Sequence, residues 1–324
     1  MPTEIRLNFK SFIYAILIVV GIWLMIEIRG TLALLFASFI LMSALRPFVE
    51  KMVSWKWPRF IAVFVIYLII ICLFTIVGSL LLPPLVSESI RLANNLPNYL
   101  ITLAQYFNFD QQTIINQVGS LGQNALKVTL SLFSDVLTFF AVAVFTFYLL
   151  LARSNTQHFL IGIITNDQRQ RSLNLLDKIE LRMGAWFRGQ LILGLIIGVL
   201  SYIGLSLLGI SYALPLALIA GVLEMVPTIG PIISAIPAML IAVTVSPGLA
   251  ALVALLYFII QQLENHLFVP QVMMQTVGVA PLISIILLMI GGRLGGIGGI
   301  ILAIPIYLVI ETIVKEVINK KTNG

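Results

Sequence analysis

Two apolar stretches near the C-terminus, residues 212–245 and 280–314, are too long for one membrane crossing and too short for two. At about 1.5 Å per residue either would make a helix of roughly 50 Å, against a hydrocarbon core of about 30 Å. Two full crossings and a turn need roughly 40 or more residues. Each stretch therefore reads as a broken helix or a hairpin of short helices, with Gly and Pro at the breaks. The two also share a phrase. Gly230-Pro231-Ile232-Ile233-Ser234-Ala235-Ile236-Pro237 recurs as Gly298-Gly299-Ile300-Ile301-Leu302-Ala303-Ile304-Pro305, which predicts Pro237 and Pro305 at comparable depths in two interrupted elements. Backbone broken at membrane depth must line a cavity or be buried in protein, so paired interrupted segments point to a transporter's substrate site.

The rest of the chain agrees with a membrane setting. Apolar residues make up 60% and charged residues 10%, where soluble proteins carry about a quarter charged. Apolar runs at 12–28, 30–45, 60–82, 134–152, 190–208 and 249–267 join the two broken stretches to give about eight membrane elements. The fold class is all-α and multi-pass. Arg6 and Lys10 precede the first run, Arg46, Lys51, Lys56 and Arg59 follow the second, and Arg153, Arg169, Arg171, Lys178, Arg182 and Arg188 follow the fourth. By the positive-inside rule these belong to the cytoplasm, as do Lys315, Lys320 and Lys321, so both termini are cytoplasmic. The pI of about 9.5 thus reports topology, and nucleic acid is not an expected partner. The first run reads as a retained signal anchor, since no A-x-A site follows it. The lone Cys72 reads as a core-filling or lipid-facing residue.

These runs and charges organise the chain into N-terminal spans at 1–83, an extracytoplasmic helical segment at 84–133, and a fourth span at 134–152. A cytoplasmic amphipathic segment at 153–188, a C-terminal membrane core with both broken repeats at 189–314, and a tail at 315–324 complete it. In the outer segment, residues 85–93, 99–107 and 114–126 read as short amphipathic helices separated by Asn94-Asn95-Leu96-Pro97 and Asn108-Phe109-Asp110. The cap they form suits a packing or oligomer surface, or a ligand-capturing domain. On the inner side Thr165-Asn166-Asp167-Gln168 offers a capping box before a helical stripe from Ser172 to Trp186. With Arg169, Arg171, Lys178 and Arg182 on its polar side, this helix either rests on anionic lipid or acts as a moving coupling element.

Charges at membrane depth are functional candidates, because inserting each costs a few kcal/mol. Glu224 precedes Gly230 and Arg293 precedes Gly298 at nearly equivalent places in the repeat, which predicts a buried ion pair across the repeat interface. Such a pair is either structural or part of a substrate or proton path. Gln261, Gln262, Glu264, Asn265 and His266 form an unusually polar end to the seventh run, sharing an arc of roughly 200° at about 100° per residue. In a cavity Glu264 would take up a proton or cation and the amides would bind hydroxyls; at the outer interface the cluster needs no functional explanation. Pro227, Gly230, Pro231, Gly298 and Pro305 complete the proposed pathway as the residues around the breaks.

Enzyme signatures are nearly absent: there is no HExxH, G-x-S-x-G or phosphate loop, and Ser211 with the distant His266 lacks an orienting partner or oxyanion hole. No catalytic residue, cofactor or metal site is expected, and the chain reads as a non-enzyme. Several phrases do carry a resemblance, namely Trp186-Phe187-Arg188-Gly189-Gln190, Glu224-Met225-Val226-Pro227-Thr228-Ile229-Gly230-Pro231 and Gln262-Leu263-Glu264-Asn265-His266 running on to Pro270. Pro281, Gly291-Gly292, Gly295 and Pro305 continue it. Through them the chain resembles, over nearly its full length, the autoinducer-2 exporter (AI-2E) family of bacterial membrane proteins. The resemblance implies an α-helical inner-membrane homo-oligomer, pentameric as seen within the family. It also implies export of the furanone signal autoinducer-2, or exchange of sodium or lithium for protons.

The expected function is gradient-driven export of a small polar molecule by a secondary transporter embedded in the lipid bilayer. A sodium(lithium)/proton antiporter, whose partners are a monovalent cation and a proton, is the alternative. A non-transporting membrane scaffold, recruiting partners through the cap and the inner helix, is the contrasting class.

Overall fold

The computed structural model describes residues 29–107, 136–163, 166–227, 229–273 and 281–322, with scattered positions from 16 to 28. Most of the first apolar run and all of the amphipathic stretch 114–126 lie outside the described residues. Every regular element among those described is helical: α1 (Arg29–Ser54), α2 (Arg59–Phe107), α3 (Val136–Ile163), α4 (Asn166–Leu207), α5 (Ala213–Leu223), α6 (Ile229–Val245), α7 (Pro247–Leu263), a π-helical turn (Glu264–Phe268), α8 (Val269–Met273) and α9 (Pro281–Thr322). Within these, five segments are long and apolar enough to cross a membrane, and Thr138–Arg153, Ala213–Leu223 and Ile229–Val245 are shorter apolar helices.

Two expected boundaries are absent. The 49 residues of α2 run unbroken through Pro83, Pro84 and the Asn94-Asn95-Leu96-Pro97 phrase, so the first two short cap helices are one continuation of the third span. At about 1.5 Å per residue α2 is roughly 74 Å long and overshoots a bilayer by some 40 Å. Asn95 on this extension donates to the Tyr212 hydroxyl at 2.9 Å, which ties it to the start of α5. Likewise α4 runs through residue 189, so the inner amphipathic helix is the extension of the fifth span and not a separate helix lying on the membrane. Two of its cations pair with protein: Lys178 with Glu316 at 2.7 Å and Arg182 with Glu311 at 2.6 Å.

Both broken stretches are hairpins, and their breaks fall just before the repeated phrases. In the first, α5 ends at Leu223, residues 224–227 turn, and α6 returns so closely that a Cβ on Gly230 would lie 2.0 Å from the Leu223 carbonyl oxygen. In the second, Gly295 (φ −137°, ψ 15°) and Gly296 (φ 58°, ψ −141°) leave helical geometry. The positive φ at Gly296 suits a residue without Cβ. The arms 281–294 and 297–322 then meet backbone to backbone, a Cβ on Gly299 lying 2.0 Å from the Gly291 carbonyl oxygen. Pro237 and Pro305 themselves sit inside helices, so the repeated phrase opens each returning arm and does not form the break.

The largest apolar core joins α4, α5, α6 and α7 through Ile197, Leu205, Leu216, Ile241, Val253 and Ile260. A second joins α1, α2 and α3 around Met42, Val49, Val63 and Leu150. The two halves are fastened where α1 crosses α4, with Gly184 against the Ser43 backbone. Near that crossing lies a charge cluster. Glu180, 2% exposed, accepts from Arg46 at 2.7 Å and Arg153 at 3.0 Å, while Asp177 lies 3.1 Å from Arg46 and 2.8 Å from Arg153. Glu50 completes it through both arginines.

Candidate functional site

Glycine decides how close α4 comes to α5, and that approach builds the site. A Cβ on Gly194 would meet the Gly221 carbonyl oxygen at 2.6 Å, and one on Gly221 would meet that of Gly194 at 2.7 Å. Small residues of this kind let membrane helices touch along their backbones. One helical turn before Gly194 stands Gln190, and three residues after Gly221 stands Glu224. The crossing therefore sets them side by side: Gln190, 1% exposed, donates from Nε2 to the Glu224 carbonyl oxygen. That bond satisfies one of the carbonyls freed where α5 stops.

The Glu224 carboxyl is as deeply buried, at 1% exposure, and its Oε2 meets no nitrogen or hydroxyl donor among the described residues. It lies within hydrogen-bonding reach of the Glu264 carboxyl. Glu264 opens the π-helical turn, is 3% exposed, and accepts from Gln261 Nε2 at 3.2 Å. A π turn adds a residue to one helical turn and re-aims the side chains beyond it, and such turns are frequent at functional sites. An ionised carboxylate can only accept hydrogen bonds, so these two groups bond to each other only while a proton sits on one of them.

Around the pair is a cavity of about 110 Å³, whose polar wall is Gln190, Glu224, Glu264 and Ser284 and whose apolar wall includes Trp186 and Met273. A water needs roughly 10–15 Å³ of such space, so the cavity has room for several waters or a small polar group. Among the described residues its lining contains no Lys, Arg or His. The second hairpin contributes from both arms, Ser284 from the outgoing and Ile304 from the returning one.

The expected pathway residues divide sharply. Glu224, Pro227 and Glu264 line this cavity; Gly230 and Pro231 are buried at the start of α6; Gln261 is half-buried against Glu264; and Pro305 lines a neighbouring cavity. Gln262, Asn265 and His266 are exposed on this chain, with His266 Nδ1 held 3.0 Å from the Gln262 carbonyl. Gly298 has open space around it. The Glu224–Arg293 ion pair is not formed: Arg293 is exposed, no acidic group pairs with it among the described residues, and the partner Glu224 does find is Glu264. Equivalent places in two repeats gave them similar surroundings in sequence, not contact. Gln190, Trp186 and Ser284 were not expected in the site. Two signals were available for Gln190: its place with Trp186 in a phrase that carries the resemblance, and an amide within the apolar face that follows Arg188.

Comparison with known proteins agrees with this architecture. The family model described as AI-2E family transporter matches residues 12–319. Among curated proteins of Bacillus subtilis (strain 168), the one named "Putative transport protein YueF" is 28% identical over 84% of this chain and 80% of its own length. A second, YrrI, named in the same words, is 27% identical over 89% of this chain and 86% of its own length. The Synechocystis relative sll0063, again so named, is 26% identical over 78% of this chain and 69% of itself. With two broken hairpins, a cavity that holds two buried carboxyls and a family match over nearly its whole length, the chain belongs to the AI-2E transporter family of multi-pass, all-helical membrane transport proteins.

Proposed function

We propose that this protein is a secondary transporter in which Glu224 and Glu264 together bind either a proton or a monovalent cation, the gradient of one driving movement of the other. The observation that carries this reading is the pair itself. Two carboxyl groups from different elements are buried side by side on one cavity whose lining, among the described residues, holds no basic residue. Two negative charges so placed repel unless a proton or cation sits between them. Binding of the two is thereby exclusive, which is what exchange requires. The break in the first hairpin, at Glu224 and Pro227, lies on the cavity wall, and broken helices of this kind form cation sites in transporters.

Export of a small polar solute such as autoinducer-2 is the second reading, favoured by the Gln190 amide and the Ser284 hydroxyl in the same cavity. Flux into liposomes containing the purified protein separates the two. Under exchange, a sodium or lithium gradient drives proton movement, and Glu264→Gln abolishes it. Under export of a neutral solute, labelled autoinducer-2 moves without a pH-dependent step, and Glu264→Gln weakens it only modestly. Cation-driven proton movement that is unchanged in both Glu224→Gln and Glu264→Gln would refute the exchange reading.

A further inference from the structure

A second cavity, of about 160 Å³, adjoins the carboxyl site and is almost wholly apolar, with walls that include Ala37, Ile40, Val142, Phe187 and Leu302. The two have a residue in common and are divided by chain neighbours. Trp186, 3% exposed, lines both; Glu224 faces the polar side and the next residue, Met225, the apolar side; Ile304 and Pro305 divide in the same way. We propose that the cargo is a small organic cation with an apolar group, its charged head beside Glu224 and Glu264 and its apolar part in the cavity across Trp186. This rests on the carboxyl pair being the cation site.

Three features converge on that cargo class. The carboxyls, in a lining that holds no basic residue among the described residues, select positive charge. An indole face is the aromatic surface that best attracts an organic ammonium, and Trp186 lines both cavities. An apolar cavity gains by accepting an apolar group. A bare metal ion would use only the first of these. Met225 and Met273, one on each cavity's wall, supply unbranched side chains that adapt to differing shapes.

Equilibrium dialysis of the full-length purified protein tests the proposal with three labelled probes. Phenyltrimethylammonium carries head and apolar group, tetramethylammonium the head alone, and benzenesulfonate an apolar group with the opposite charge. Phenyltrimethylammonium is expected to bind at least about tenfold tighter than tetramethylammonium, the return for taking a phenyl group out of water, and benzenesulfonate not at all. Leu302→Trp, which fills the apolar cavity, should bring that ratio down toward one; Ala37→Leu is read in the same way if the larger change does not yield monodisperse protein. Equal affinities for the two cations in the wild type, as when a bilayer acyl chain already fills the apolar cavity, would overturn the proposal. So would a ratio unmoved by both cavity-filling variants. Equal affinities alongside a cation-driven proton flux that Glu264→Gln abolishes would reject the amphiphilic cargo and leave the carboxyl pair standing; flux untouched by Glu264→Gln would reject the pair itself.

Discussion

A buried carboxyl oxygen without a donor, as at Glu224 Oε2, costs free energy that a chain keeps only where the group is used or compensated. Here the compensation is a second carboxyl, and that makes the two residues one unit. Glu224→Gln and Glu264→Gln are therefore expected to be strongly non-additive, each alone abolishing most coupled flux and the double variant losing little more. Glu224→Gln and Arg293→Gln, in contrast, should simply add in a melting assay, because the side chains do not meet. Both acidic residues were legible in the sequence, since a charge in an apolar stretch stands out. Their pairing was not, because it depends on the α4–α5 crossing at Gly194 and Gly221 and on a π turn that adds one residue to the helical count of α7. A regular 100° wheel spread the polar arc over five residues; the real turn buries Glu264 and leaves Gln262, Asn265 and His266 outside.

At the scale of elements, the hairpins are held by backbone contact that only glycine allows. Gly299→Val must push the returning arm off Gly291, whose carbonyl oxygen lies 2.0 Å from the Cβ position, so loss of folded, monodisperse protein is expected. Gly298→Ala, one residue away in open space, should be neutral or stabilise by up to about 1 kcal/mol through helix propensity. Size-exclusion profiles and melting of the two variants check the contrast; similar behaviour would mean that the arms do not pack as described. Length and Gly/Pro content made both breaks visible in the sequence. Their location slipped by a few residues because Pro237 and Pro305 stay helical, a position proline tolerates in membrane helices when neighbours satisfy the freed carbonyl. The Asn-Asn-Leu-Pro phrase in α2 misled for the same reason: local turn chemistry does not break a helix that continues through it.

Across the whole molecule, the inner charge cluster fastens the α1–α3 half to the half that carries the site. Glu180 compensates Arg46 and Arg153 together, so Glu180→Gln should cost about 3 kcal/mol or more of stability. Arg171→Gln, exposed on the same helix, should stay within about 0.5 kcal/mol. Chemical-denaturation curves in detergent measure both, and equal effects would mean that the cluster does not join the halves. Cation counts along the chain indicated which segments carry these charges, yet not that they would pair with one another, since positive-inside reasoning weighs Lys and Arg and ignores their acidic partners. Fastened in this way, α4 holds Gln190 and the site beneath the two hairpins, and the central claim is that proton and cation compete there. Proton release on adding sodium or lithium to the unbuffered, detergent-purified protein measures that competition directly. The wild type should release protons as cation binds, and Glu224→Gln and Glu264→Gln should release almost none; release that is absent from the wild type, or undiminished in both variants, would contradict the account.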